Sequence, residues 1–308
     1  ASDADMYNTA VGYGSGQSIT TGVNNTLIGG LAGDSVTTGN NNSAVGYGSL
    51  GANTTGGSNA AFGLLALERN TTASSNSAFG QSSLRFNTTG AENTAVGFEA
   101  LNANTTGANN TAVGARALDA GTSAVDNTAI GVDALGSSTT GSYNVAVGLS
   151  AMATSTTGTQ NASFGRHSMS LNTTGSSNVA VGNHAMNDNT TGSSNTAVGY
   201  QALDANTTAS NNTAVGHASL TTNTTGTENT AVGANALDAN TTGGYHTGIG
   251  TNALGANTTG NYNTAVGRNA LSSNTTASYN TATGFRSLEA NTTGASNTAV
   301  GMYALLAN

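Results

Sequence analysis

Apolar and polar positions along this chain recur every 17 residues. Around Gly199 the unit reads Asn195-Thr-Ala-Val-Gly199, then Ala202-Leu203, then Asn206-Thr-Thr208, and the same arrangement returns on either side. The glycine stands at 18 positions from Gly12 to Gly301, without insertion or deletion between them. The apolar residues form no i, i+3, i+4, i+7 stripe, and a recurring Thr-Thr-Gly is poor helix material. Short strands joined by Gly and Asn turns fit the pattern better. A circuit of 17 residues has room for two or three of them. If each unit is one circuit of a coil, like residues lie above one another at the spacing of paired strands. The pattern therefore predicts an all-β fold, a parallel β-solenoid (β-roll) of about 18 coils. At roughly 4.8 Å per circuit, such a rod is about 86 Å long. Residues 1–7 stand outside the repeat, and 8–308 form one continuous array.

The columns carry physical reasons. Gly97, Gly114, Gly199 and Gly216 belong to the all-glycine column, which marks a positive φ or a backbone too crowded for a Cβ. Four residues earlier stand Asn93, Asn110, Asn195 and Asn212, in a column where His246 is the sole exception. Stacked Asn amides can hydrogen-bond along a ladder. Val, Ile or Phe before the glycine, and Leu or Met four after it, are expected to fill a thin core; Phe62 with Phe79, and Met152, Met169 and Met186, read as local repacking of it. One circuit cannot hold itself together, so neighbours must supply hydrogen bonds and packing on both faces.

Strand alternation then places Val and Ala on opposite faces. With Val inside, Ala95, Ala112, Ala197 and Ala214 form a narrow apolar stripe outside, read as a seam between parallel copies of the chain. The alternative is that these alanines pack against a second strand of their own coil. The final copy ends inside its Asn-Thr-Thr at Asn308, which raises two expectations: a segment of a longer shaft, or open ends that stack head to tail. At the other end, Asp3 and Asp5 are candidates for blunting an exposed edge.

Composition narrows the function classes. Six Arg, no Lys and a net charge of −8 provide no basic footprint for nucleic acid or anionic lipid. There is no Cys and no run of apolar residues long enough to span a membrane as a helix. Disorder is disfavoured by the placed apolar residues in every period. Ala1 is compatible with a removed signal peptide.

The Asn-Thr-Ala-Val-Gly-x-x-Ala unit, as at Asn93 to Ala100, resembles the head repeats of trimeric autotransporter adhesins of the YadA type. It is similar also to repeats of bacteriophage tail fibres and secreted bacterial fibre proteins. The resemblance runs from Asn8 to Asn308 and implies a left-handed parallel β-roll, a homotrimer, and an extracellular place on a cell surface, in a filament or on a virion. It departs from those heads in a longer period, with Asn-Thr-Thr as the extra loop.

No column assembles a catalytic site. His167 and His184 fall on adjacent circuits in a variable column, which reads as solvent-facing surface rather than a metal pair. Asp34, Asp119, Asp204 and Asp238 share a column but not consecutive circuits. No nucleophile elbow, zinc motif or phosphate loop occurs, so the expectation is a non-enzymatic protein without metal or cofactor. Thr54, Thr71, Thr88 and Thr105 belong to an all-Thr column that could order water and bind ice. Asn-Thr-Thr is also a glycosylation sequon, present in 12 copies, although Gly121, Ser138 and Ser155 replace its Asn where Thr remains. Aromatics just after the glycine, including Tyr13, Tyr47, Phe98, Tyr200 and Phe285, offer surfaces for sugar rings. The leading expectation is a structural or adhesive extracellular fibre whose main partner is itself, as homotrimer or head-to-tail polymer. A cell-surface or glycan receptor is the further candidate partner; nucleic acid and membrane insertion are not expected. The alternative is an ice- or glycan-binding solenoid.

Overall fold

The computed structural model describes residues 6–307, so Asp3, Asp5 and Asn308 lie outside the described residues. The chain forms two compact units, residues 1–157 and 158–308. In the first, three-residue strands recur from Thr9–Val11 to Val145–Val147; in the second, from Ala162–Phe164 to Thr298–Val300. Within each unit successive strands pair parallel at a separation of 17 residues, like upon like: Thr94 with Thr111, Ala95 with Ala112 and Val96 with Val113 in one unit, Thr196 with Thr213, Ala197 with Ala214 and Val198 with Val215 in the other. Both units are thus parallel β-solenoids with the 17-residue circuit. No helix occurs among the described residues.

Each circuit has one strand, not the two or three expected. Four positions per circuit have positive φ and prevent further extended runs. The repeat glycine lies at φ between 123° and 142°. The residues two, four and twelve positions later are left-handed, as at Arg116 (53°), Leu118 (50°) and Asp126 (56°). The turns are nevertheless as firmly laddered as the strand. In the circuit of Gly97, the amides of Leu101 and Thr105 donate to the carbonyls of Ala117 and Thr122 on the next circuit, each at 2.9 Å. Arg116 donates back to Phe98 at 2.9 Å. A proline anywhere on such a ring removes a donor, and the chain has none.

The glycine column satisfies both sequence-level reasons at once. Besides its φ of 138°, a Cβ on Gly97 would lie 2.5 Å from the carbonyl oxygen of Gly114. The glycine is what lets consecutive circuits approach to pairing distance immediately after the strand.

The interior corrects the expected sidedness. Leu101, Leu118, Met169 and Leu203 are fully buried, as are Ala95, Ala112, Ala197 and Ala214. Val96 and Val198 stand outside, 38 % and 36 % exposed. Phe62 and Phe79 are also outside, stacked with centroids 5.0 Å apart, so they do not repack the core. The coil is too thin to take a large residue from both walls. The second circuit shows the limit: Leu27 takes the alanine position and is fully buried, while Gly16 and Gly33 replace the usual leucine. A Cβ on Gly33 would come within 2.8 Å of Leu27 Cδ2. In the circuit of Gly29 large plus small is kept and only the wall supplying the large residue changes, while Leu27 also fills the space beside Gly16 of the neighbouring circuit, where a Cβ would come within 2.9 Å of Leu27 Cδ1.

The left-handed backbone at the leucine position explains why that column holds Leu and Met but no Ile or Val. A β-branched residue is poorly accommodated at positive φ. Leu118→Met is expected to lower stability by less than about 1.5 kcal/mol, whereas Leu118→Ile, of equal volume, should cost about 2 kcal/mol or more. Urea unfolding of the two variants checks the order.

Candidate functional surface

Two asparagine ladders run inside each circuit wall. In the first, the amide N–H of Asn110 donates to Asn93 Oδ1 at 3.0 Å, and Asn110 Nδ2 donates across the turn to the Ala124 carbonyl at 2.8 Å. Asn212 repeats this with Asn195 Oδ1 and the Gly226 carbonyl, both at 2.9 Å. Asn93, Asn110, Asn195 and Asn212 are buried, so the ladder is internal scaffolding. His246 takes an Asn place: its Nδ1 accepts from the Asn263 amide at 3.2 Å, and Nε2 lies 2.7 Å from the Gly260 carbonyl. Those partners fix a neutral ring with the proton on Nε2. Burial pushes its pKa down to about 4, although the bond to the Gly260 carbonyl pulls the other way.

The second ladder consists of the Asn of Asn-Thr-Thr. Asn70 Nδ2 donates to Asn53 Oδ1 and to the Ala73 carbonyl, both at 2.9 Å. Asn87 and Asn104 continue it. These side chains are buried with their amide hydrogens committed, so a folded circuit offers no sequon nitrogen to a sugar. At Gly121 the ladder stops, leaving Asn104 Oδ1 without a partner; the buried hydroxyls of Ser138 and Ser155 lack one too. Gly121→Asn is expected to supply the missing donor and raise stability by about 1 kcal/mol. A higher thermal midpoint for the variant checks this.

The threonine columns divide differently from the sequence expectation. Thr54, Thr71, Thr88 and Thr105 donate their hydroxyls to the carbonyl of the next circuit, at 3.1, 3.0, 2.9 and 2.9 Å respectively. Their hydroxyls are therefore occupied within the coil. The outward column is the next one: Thr55, Thr72, Thr89 and Thr106 are exposed, and no hydroxyl of theirs bonds to the chain among the described residues. That column holds Thr in 16 circuits and Ser123 in one.

The outer apolar stripe is Val, Ile or Phe. In the first unit it includes Ile28, Phe62, Phe79, Val96 and Ile130; in the second, Phe164, Val181, Val198 and Ile249. The alanines assigned to an inter-chain seam have no exposed surface to offer one. Period-2 alternation identified two faces, but both candidate residues are apolar, and only the limited width of the interior decides between them.

Sequence reasoning also missed a tyrosine stack. Tyr245, Tyr262 and Tyr279 stand on consecutive circuits, with centroids 4.8 and 5.2 Å apart and planes within 8° and 4°. Their shared column, twelve residues after the glycine, was the available signal. Of the aromatics singled out, Tyr200 stacks on His217 at 5.4 Å, while Tyr13 and Tyr47 stand exposed.

The titratable residues do not converge. His167 and His184 stack 5.3 Å apart with a tilt of 37°. Desolvation, with Arg166 and His184 nearby, lowers the pKa of His167. Among the described residues no three potential ligands gather around a metal position. Asp34, Asp119, Asp204 and Asp238 sit half-sunk in one column, and desolvation raises each carboxyl above its ordinary range. Among the described residues, no helix is long and apolar enough to cross a membrane. No protein-family model matches the chain, and no curated protein is significantly similar to it.

Proposed function

We propose that this chain is a non-enzymatic extracellular scaffold, a β-solenoid fibre or adhesive head of the kind its repeats resemble, assembled through copies of itself. The observation that carries this reading is the outer stripe of Val, Ile and Phe, which repeats on circuit after circuit and has nothing over it in the single chain. Continuous apolar surface of this sort favours lateral contact between protein chains. The seam is thereby reassigned from the alanines to the residues before the glycine. Thr283 occupies that column in a normal strand, so threonine there is compatible with the fold.

The test is a variant carrying Val96→Thr, Val113→Thr, Val198→Thr and Val215→Thr, compared with the parent by analytical ultracentrifugation and electron microscopy. The parent is expected to sediment as a trimer or larger fibre and the variant to shift towards monomer with unchanged circular dichroism. A parent that stays monomeric at high concentration defeats the reading.

A second reading, ice binding, is favoured by one observation: the column of Thr55, Thr72, Thr89 and Thr106 presents free hydroxyls and methyls at strand spacing. An ice crystal cooled in the protein solution should then grow faceted, and Thr72→Lys with Thr89→Lys should abolish the facets.

A further inference from the structure

One circuit of the first unit lacks the outward side chains that its neighbours carry. In the circuit of Gly46, glycine stands both two and five residues after the repeat glycine, at Gly48 and Gly51. No other circuit has glycine at both places. The circuits on either side carry Leu31 with Asp34, and Leu65 with Glu68. The result is a notch of about 310 Å³, walled by Tyr47, Leu31 and Leu65 and edged by Asp34, Glu68 and Arg69.

The polar groups around the notch are set in place by contacts outside it. Glu68 is held by Arg85 Nε at 2.6 Å. The Arg69 guanidinium lies over the Phe86 ring, 4.8 Å from its centroid. Asp34 forms no ion pair among the described residues, and desolvation raises its carboxyl pKa, while backbone hydrogen bonds from Asp34 and Ser35 hold it down. Tyr47 is 57 % exposed, with its edge over Gly30, where a Cβ would come within 3.3 Å of Cδ2. The notch thus has apolar walls, two carboxylate acceptors and one fixed cationic donor.

We propose that this notch binds a single pyranose unit. A sugar ring offers a C–H face to Tyr47 and the leucines, and hydroxyls that donate to Asp34 and Glu68 and accept from Arg69. Few precisely placed polar groups on an apolar concavity are what a small-molecule site requires. Two carboxylates disfavour a phosphate or sulfate, and Arg69 disfavours a metal ion. The proposal gives the adhesive reading a ligand class, but it does not depend on self-assembly, and a monomeric protein leaves it intact.

The test follows the Gly48 and Gly51 amides by NMR during titration with free glucose, galactose, mannose and N-acetylglucosamine. A second arm measures binding to immobilised glycans ending in the same sugars. Gly51→Asn fills the notch with the residue that the same column carries at Asn102, so the fold tolerates it. Saturable shifts with one sugar, weakened at least about tenfold in Gly51→Asn and Asp34→Asn but not in the distant Tyr200→Ala, support the site. Binding in both arms assigns the notch to glycan termini; binding of the free sugar alone assigns it to free monosaccharide. Absence of shifts up to about 50 mM sugar, or shifts unchanged in Gly51→Asn, overturns the proposal. So does occupancy of the notch by a lysine-rich peptide but by no sugar.

Discussion

Gly199→Ala is expected to open the circuits around it and lower stability by about 4 kcal/mol or more. Two effects coincide. The glycine lies at φ +142°, where an L side chain is strained, and a Cβ there would sit 2.3 Å from the carbonyl oxygen of Gly216. Neither atom can move away cheaply, because the obstacle is backbone and the amide of Gly199 is itself bonded to the Val181 carbonyl at 2.8 Å. The alternative to the clash is separation of paired circuits. Gly301→Ala separates the two causes: its φ is +123°, but nothing lies within 4 Å of the added Cβ. It should show the backbone strain alone, about 1–3 kcal/mol. Denaturant unfolding gives the magnitudes, and amide exchange at Val198 and Val215 should accelerate only in Gly199→Ala. Equal losses in both variants would assign the glycine column to φ and not to close approach.

The second large effect is a pH dependence centred on His246. Its folded pKa, about 4, lies below the ordinary value of 6.5, so the unfolded chain binds more protons between those limits. Stability is then fully present above about pH 6.5 and declines as the pH falls towards 4, by about 3 kcal/mol for this one ring. Protonation removes the Nδ1 acceptor on which the Asn263 amide depends. The raised carboxyls of Asp34, Asp119, Asp204 and Asp238 act in the opposite sense, favouring the folded state where they hold their protons. The measurement is therefore a difference between two chains: His246→Asn restores the residue of the column and should abolish the histidine component of the acid loss. Parallel curves for the two proteins from pH 7 to 4 would show that the ring is not the group responsible.

Much of this architecture was legible because identity down a column is a stronger signal than propensity along a segment. The glycines at 97, 114, 199 and 216 and the asparagines before them declared a stack, and parallel register followed from the constant spacing. Sidedness was not legible. Ala197 and Val198 alternate correctly, but ranking by size puts valine inside, and the interior excludes it because Leu203 enters from the opposite wall. Strand number was obscured for a related reason: Leu118 and Arg116 look like ordinary extended residues, and nothing in their chemistry announces a left-handed backbone. The Thr columns failed at the level of hydroxyl bonding, since Thr88 and Thr89 are chemically identical and only the carbonyl of Thr105 distinguishes them. The notch at Gly48 and Gly51 was written in the sequence as a double absence, visible only after the circuits are laid side by side.

The strict pairing of each residue with the one 17 positions on has a consequence for how such a chain can change over generations. Gain or loss of one codon leaves one circuit a residue too long or too short for its neighbours, and that circuit must bulge or break its ladder to regain the register. Unequal exchange between copies in the coding DNA instead adds or removes a whole circuit, and the new junction is indistinguishable from the old ones. Copy number can therefore drift freely while the fold stays constant, and selection can tune reach separately from surface chemistry.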